Sequence, residues 1–373
     1  MTAFARTDTS LFGQWWWTVD RWTVFALATV IGVGAVMLLA ASPPVAERIG
    51  LDPLHFVRRQ IMLLPVAIAV IFMVSLQPPR MIRRIALAVF AVAVVMLALT
   101  FVIGAEIKGA RRWISLPGMS LQPSEFVKPA FAVLTAWLLA QGRARAGFPG
   151  GLIAVVLFAL IVGMLVKQPD LGMAVIVGAV WFVQVFLAGL PLFWVALLGV
   201  GAVGGLFGAY RLLPHVASRI DRFLDPSTGD SYQIDRSIEA FANGGVFGRG
   251  PGEGTVKNWL PDAHADFVFA VAGEELGLLA CLFIVALFSV IVLRSVLRLM
   301  SEQSLFVMLA AAGLVTQFGL QALINMASSL HLMPTKGMTL PFISYGGSSM
   351  LALALGAGML LALTRRRFGG TEP

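Results

Sequence analysis

The chain has few charged residues for its length. Asp, Glu, Lys and Arg make up 12% of its 373 residues, while 58% are hydrophobic and the mean hydropathy is +0.88. Ordinary soluble domains carry about twice that charged share, so the composition excludes a soluble globular protein. Cysteine is scarcer still. Cys281 is the only one, and no intramolecular disulfide can form.

Several chemistries lack their sequence signatures. The chain has no zinc-ligand spacing, no nucleophilic serine elbow and no dinucleotide-binding fingerprint. The glycine-rich segment 244–254 lacks the Gly-Lys-Ser/Thr ending of a phosphate loop, so it indicates only backbone flexibility or close approach of a ligand. The formal charge of +8 is scattered between apolar segments, which favours anionic lipid head groups over nucleic acid as a partner.

Long apolar segments are abundant, and about 20 such residues suffice to cross a bilayer. They predict an all-α, polytopic membrane protein with about ten transmembrane helices in residues 23–364. One large, polar extracytoplasmic loop is predicted at 211–265, with turns near Asp221 and Asp225, and the tails 1–22 and 365–373 are predicted to be cytoplasmic. The predicted spans are 23–42, 60–76, 86–104, 126–140, 152–166, 171–189, 192–210, 267–293, 304–326 and 342–364, of which the short fourth and fifth are also compatible with re-entrant segments.

Basic residues set the predicted orientation. Clusters such as Arg80, Arg83 and Arg84 place one set of loops, with both termini, in the cytoplasm. The margin is small, because the other side also carries cations. Either these snorkel to lipid head groups or they form a site that collects phosphate. All five lysines fall on that outer side: Lys108, Lys128, Lys167, Lys257 and Lys336.

Acidic residues at the membrane boundary are concentrated in the segment 260–277. Asp266 lies where the polar loop becomes a span, so it is either a helix cap or a general base whose proton affinity is raised by desolvation. His264 is a rival base. Glu274 and Glu275 lie more than two turns further along, and a structural ion pair with Lys128 or Lys336 is predicted for at least one of them.

Three further segments deliver polar groups to the same face. In 109–128, the adjacent guanidiniums of Arg111 and Arg112 are suited to a diphosphate, and Ser124 is suited to capping the next helix. The segment 167–172 places Lys167 and Asp170 in a short connection. In 332–349, prolines and glycines around Lys336 interrupt the helix, which is tolerated only inside protein or beside a wet cavity.

At these four segments the chain resembles the SEDS family of shape, elongation, division and sporulation proteins. PTKG followed by TLPFISYGGSS, within residues 334–349, resembles the division-type members rather than the elongation type. The resemblance implies a peptidoglycan glycosyltransferase of the inner (cytoplasmic) membrane that polymerises lipid II at the division septum and releases undecaprenyl diphosphate. It assigns catalysis to Asp266 in LPDAHADF, and substrate binding to Arg112 and Lys336, with Arg111, Lys128, Lys167, Lys257, His264 and Ser344 as further candidates.

The resemblance also implies partners. These are lipid II, a class B penicillin-binding protein of the FtsI type and other divisome membrane proteins, with no nucleic acid. A divalent cation, Mg²⁺ or Mn²⁺, would be compatible with the mechanism, and no organic cofactor is expected. Two alternatives remain open: a lipid II flippase, which would line a path through the membrane with polar groups, and a non-catalytic division scaffold.

Overall fold

The computed structural model describes residues 10–107, 109–116, 119–225, 232–334 and 337–366. Within them the chain forms thirteen α-helices and one small sheet, so the predicted all-α class is confirmed. The predicted substrate residue Lys336 lies outside the described residues, as do Lys108 and the tail ends 1–9 and 367–373.

Ten helices overlap the ten predicted spans. Seven of them are long and apolar enough to cross a membrane, α7 and α13 are shorter apolar helices, and α5 is in neither group. Neither short segment is re-entrant, because α5 and α6 are continuous helices of 22 and 18 residues. The ten are α2 Arg21–Arg48, α3 His55–Ser75, α4 Pro79–Ile103, α5 Pro123–Ala144, α6 Gly150–Lys167, α7 Leu171–Leu187, α8 Leu192–Leu212, α11 Val268–Leu299, α12 Leu305–Ser329 and α13 Gly347–Leu363.

Helices α5 and α12 form the centre of the bundle. Helix α5 packs against α4, α6, α7, α12 and α13, and most of α12 is buried as well. Because their neighbours shield them on several sides, these two helices can carry polar side chains inside the membrane. Helix α8 is the opposite case, with no buried residue. The centre of the bundle therefore supports whatever site the loops above it form.

Four parts of the structure were not predicted. A short helix, α1 (Leu11–Thr18), lies in the predicted tail. A three-stranded antiparallel sheet of β1 (Ala105–Ile107), β2 (Ala110–Leu116) and β3 (Met119–Leu121) fills the loop before α5. The predicted polar loop contains α9 (Pro214–Leu224), which covers the predicted turn at Asp221, and α10 (Tyr232–Gly244). The span predicted from residue 342 begins as α13 only at Gly347.

The glycine-rich segment packs directly against the backbone of α11. Gly277 interrupts this helix with a φ of 79° and a ψ of −175°. A Cβ there would lie 2.3 Å from the nitrogen of Gly248, and one on Gly248 would lie 2.2 Å from the carbonyl oxygen of Glu275. Close approach thus explains Gly248, and what approaches is the protein's own helix rather than a ligand. A Cβ on Gly245, Gly250 or Gly252 would have no atom of α11 within 4 Å, and the positive φ values of these three suit glycine's backbone freedom.

Candidate functional site

Side-chain hydrogen bonds join the four polar segments at one end of the bundle, here called the polar-loop end. Arg112 on β2 reaches the connection between α6 and α7, where its Nε donates to the carbonyl of Gln168 at 3.0 Å. The Ser348 hydroxyl donates to the carbonyl of Ser120 at 3.0 Å and so ties α13 to β3. Ser344 Oγ donates to the carbonyl of Ala265 at 2.5 Å. The predicted meeting of four separated segments is thus observed.

Asp266 lies half-buried at the start of α11, but it is not the helix cap. The capping position is Phe267. The segment that follows Lys336 in sequence passes beside the Asp266 carboxylate. A Cβ built on Gly337 would lie 3.6 Å from Asp266 Oδ2, and Gly337 has a φ of 60° that suits glycine. The geometry therefore favours a carboxylate placed beside the loop before α13.

The Asn325 side chain, on α12, holds the start of α11 next to the loop before α13. Its side-chain amide donates to the carbonyl of Asp266 at 2.9 Å and to the carbonyl of Met338 at 2.6 Å. Ser344 adds a second tie, since its oxygen accepts the N–H of Leu340 at 2.7 Å while its hydroxyl bonds Ala265. The Ser344 hydroxyl thus both donates and accepts a hydrogen bond within the protein, which makes Ser344 a positioning residue for Asp266.

His264 is buried in an aromatic setting. Its ring stacks on Phe56 at a centroid distance of 4.5 Å and lies 5.3 Å from Tyr345. Burial lowers the pKa of His264 to about 4, although the nearby Asp262 carboxylate opposes this shift. The imidazole is therefore neutral at physiological pH.

The glutamates beyond Asp266 are structural. Glu274 accepts the backbone N–H groups of Thr255, Val256 and Lys257 at 2.8–3.0 Å, and the Asn243 amide also donates to it. Glu275 forms an ion pair with Lys257. An ion pair was predicted, but Lys128 or Lys336 as its partner was wrong for Glu275. Lys257 holds the loop against α11, so its predicted substrate role would require breaking a buried ion pair.

Lys128 lies inside the bundle instead of facing open water. It forms an ion pair with Glu125 at 2.9 Å and donates to Gln321 Oε1 at 2.8 Å. The Gln321 amide continues to the carbonyl of Thr339 at 3.1 Å, and the Thr339 hydroxyl lies 2.6 Å from that of Ser349. This chain of contacts connects α5 and α12 to the loop beside Asp266. The buried Lys128 charge therefore supports the site from the bundle centre.

The two adjacent arginines do not form a joint clamp. They lie on β2, where successive side chains point to opposite faces. Arg111 is exposed and pairs with Glu106 at 3.4 Å. Arg112 is 20% exposed at its side chain, donates to Gln168 and Pro169, and lies 3.8 Å from Asp170. A diphosphate bound through both guanidiniums at once, as predicted, would require the strand to rearrange.

The remaining predictions around this site are mixed. Lys167 is exposed, with its ammonium 5.3 Å from the ring centre of Phe101. Ser124 is inside α5 rather than capping it, because the capping position is Gln122. Burial raises the pKa of Asp170, against the opposing charge of Arg112.

Among the described residues no three His, Cys, Asp or Glu side chains come together, so these residues do not offer a ready-made site for Mg²⁺ or Mn²⁺.

Sequence reasoning missed the polar face of α12. Gln317, Gln321 and Asn325 are spaced by four residues, which places them on one side of a helix. Side-chain amides inside an apolar membrane span cost free energy unless they form hydrogen bonds. That pattern was the signal that α12 supports the site.

Comparisons with known proteins agree with this geometry. The family model of the FtsW, RodA and SpoVE cell cycle proteins matches residues 21–368. A Caulobacter vibrioides protein named probable peptidoglycan glycosyltransferase FtsW is 46% identical over 369 residues, or 98% of this chain and 94% of that protein. A protein of the same name from Coxiella burnetii is 34% identical over 93% of this chain and 96% of its own.

Solved structures show the same fold. A chain in a peptidoglycan synthase complex that coordinates polymerization and crosslinking aligns with a TM-score of 0.77 at 29% identity, over 93% of this chain and 97% of the other. The rod shape determining protein RodA of Thermus thermophilus aligns with a TM-score of 0.69 at 28% identity, over 94% and 97%.

Proposed function

The chain belongs to the FtsW, RodA and SpoVE family of cell cycle proteins and is a peptidoglycan glycosyltransferase, and we propose that it polymerises lipid II at the division septum with Asp266 as its general base. The family predicted from the four motifs is thereby confirmed. The proposal rests on the position of the Asp266 carboxylate, which lies half-buried beside Gly337. The Asn325 side chain fixes this position by donating a hydrogen bond to the backbone carbonyl of Asp266.

In the proposed reaction Asp266 takes the proton from the C4 hydroxyl of the acceptor sugar. That oxygen attacks the anomeric carbon of the donor with inversion, and the bond to undecaprenyl diphosphate breaks. A half-buried carboxylate suits this role because its oxygens can accept a proton from a hydroxyl within hydrogen-bond reach. Negative charge develops on the leaving diphosphate, where Arg112 and Lys336 are the proposed stabilising cations. The only role proposed for a divalent ion is to neutralise the charge of the diphosphate.

Glycosyl transfer is favoured over lipid II transport by where the polar groups lie. The ties around Asp266 are at the polar-loop end. Deeper in the bundle, the Thr135 hydroxyl and the Gln184 amide bond each other, and Gln184 also donates to the carbonyls of Ala132 and Leu309. Those side chains are used in packing α5, α7 and α12 together, whereas a carrier needs polar groups free along its path.

We propose a crosslinking transpeptidase, a class B penicillin-binding protein of the FtsI type, as the partner, together with other divisome proteins. The similar chain in a complex that coordinates polymerization and crosslinking supports this partner. Membership of the cell cycle family and the similarity to proteins named FtsW, with the long apolar helices, support a location in the inner membrane at the division site.

The deciding experiment compares two aspartates four residues apart. Purified chain with a transpeptidase-blocked class B partner is given labelled lipid II, and glycan strands are separated by length. We expect Asp266→Asn to lower the rate by about 10²–10⁴-fold, as loss of a general base does. Asp262→Asn is the matched control, because asparagine tolerates the φ of 51° at that position. Strand synthesis by Asp266→Asn at the control rate would contradict the proposal.

A further inference from the structure

A large cationic cavity lies at the end of the bundle away from Asp266, here called the arginine end. Its volume is about 1560 Å³. Seven arginines from the ends of α4, α5, α11 and α13 line it, and Glu302 is the one carboxylate among the described lining residues. The positive dipole ends of α4 and α12 line it together with the negative dipole ends of α5, α11 and α13, so its positive potential comes from the arginines. This potential favours a ligand with phosphate groups.

An apolar groove meets this cavity. It has a volume of about 420 Å³, lies between α5, α6, α7 and α8, and is lined by residues such as Leu139, Val155 and Leu198. Arg143 lines both the groove and the cavity, so the two lie next to each other. A ligand that filled both would need an anionic head and an apolar chain.

One tryptophan of the cavity and one of the groove each have a buried indole N–H donor. The indole N–H groups of Trp137, in the cavity, and Trp181, in the groove, are buried without an acceptor in the described part of the chain. Proteins leave few buried donors unsatisfied. The phosphate and ester oxygens of a lipid are hydrogen-bond acceptors, which these indoles lack.

We propose that an anionic phospholipid of the cytoplasmic leaflet binds here, with its phosphate in the arginine cavity and an acyl chain in the groove. The arginine end faces the cytoplasm by the positive-inside tendency. Basic pockets between membrane helices on that side are suited to anionic head groups. This site is separate from Asp266 and does not depend on the proposed reaction there.

The test titrates delipidated full-length protein, in neutral detergent, with phosphatidylglycerol or with phosphatidylcholine of the same acyl chains, and counts bound lipids by native mass spectrometry. We expect phosphatidylglycerol to bind at least about tenfold more tightly. Arg80→Gln and Arg145→Gln should each weaken it about fivefold, since both side chains are exposed in the cavity. Arg84→Gln is the matched control, because exposed Arg84 lies on α4 but does not line the cavity.

The groove is tested by filling it. Gly151 lines the groove, and a Cβ there would meet no atom within 4 Å, so Gly151→Leu should block the acyl chain and leave the fold intact. Gly163→Leu on the same helix is its control, since Gly163 also faces open space but does not line the groove.

Three outcomes would overturn the proposal. The first is equal binding of the two phospholipids, or equal effects of the paired variants. The second is full displacement of phosphatidylglycerol by millimolar inorganic phosphate, which would indicate an anion site without a chain. The third is retention of lipid II that phosphatidylglycerol cannot displace, which would assign the cavity to the substrate lipid.

Discussion

Asn325 donates its side-chain amide to the backbone carbonyl of Asp266 across 59 residues of sequence. The same amide bonds the carbonyl of Met338, so one side chain of α12 fixes the start of α11 and the loop before α13 together. The position of the carboxylate therefore depends on a residue that does not touch the reacting sugars.

Replacing Asn325 tests this positioning role. Asn325→Leu keeps similar volume but removes both donated bonds, and we expect the polymerisation rate to fall about tenfold to a hundredfold because a base displaced by about 1 Å is poorly aligned. Lipid II affinity should change little. Leu323→Ala, on the exposed side of α12, is the control. A rate for Asn325→Leu that matches the control would show that the backbone of Asp266 needs no such tie. Single-turnover assays with labelled lipid II make the measurement.

The buried pair of Lys257 and Glu275 predicts a non-additive effect on stability. Glu275→Gln leaves the Lys257 ammonium buried without its counter-charge, and removing one partner of such a pair costs about 3–5 kcal/mol. The double variant Glu275→Gln/Lys257→Met should recover a large part of this loss. Apparent Tm values in detergent for the wild type, both single variants and the double variant complete the cycle. Additive losses would contradict a direct pair.

The contact between Gly277 and Gly248 predicts that alanine will be poorly tolerated. Gly277→Ala adds a methyl group 2.3 Å from the Gly248 nitrogen at a positive φ, and we expect a loss of about 2–4 kcal/mol from strain and overpacking. Gly163→Ala, where the space is open, should be neutral or stabilising by up to about 1 kcal/mol. Thermal unfolding of both variants measures the difference. Wild-type stability of Gly277→Ala would mean that α11 can shift away from the glycine-rich segment.

The environment of His264 predicts an acid-sensitive loop. Its folded-state pKa is about 4, below the ordinary value of 6.5, so between these pH values the unfolded chain binds a proton that the folded chain does not. This difference in proton binding has little effect on stability above pH 6.5. As the pH falls further, it lowers the free energy of unfolding, by about 2 kcal/mol at pH 5. His264→Phe should lose less Tm between pH 7.5 and pH 5 than the wild type. An identical pH dependence would exclude His264 as the cause.

Sequence alone predicted the all-α, polytopic fold because burial in a bilayer leaves a signal in length and hydropathy. It also predicted that the four polar segments meet at one end of the bundle, since Asp266 and the broken helix before Gly347 stand out against apolar neighbours. The ion-pair partners could not be predicted. Pairs such as Lys257 with Glu275 depend on how distant segments pack.

Local structure in the loops was missed for a different reason. Arg111 and Arg112 were expected to act together, but their strand separates them, and short strands carry a weak sequence signal. Helix α9 was hidden by its polar composition, although Val216, Ile220 and Phe223 recur at helical spacing.

The ties around Asp266 also set an order of events during biogenesis. Asp266 is synthesised with α11, yet its partner Asn325 follows 59 residues later. Ser344 follows its own partner, Ala265, by 79 residues, and Ser348, which joins β3, lies at the start of α13. A nascent chain that still awaits insertion of α13 has its aspartate but lacks the fixed geometry. If Asp266 is the base, glycan synthesis thus requires that α13 has already entered the bilayer.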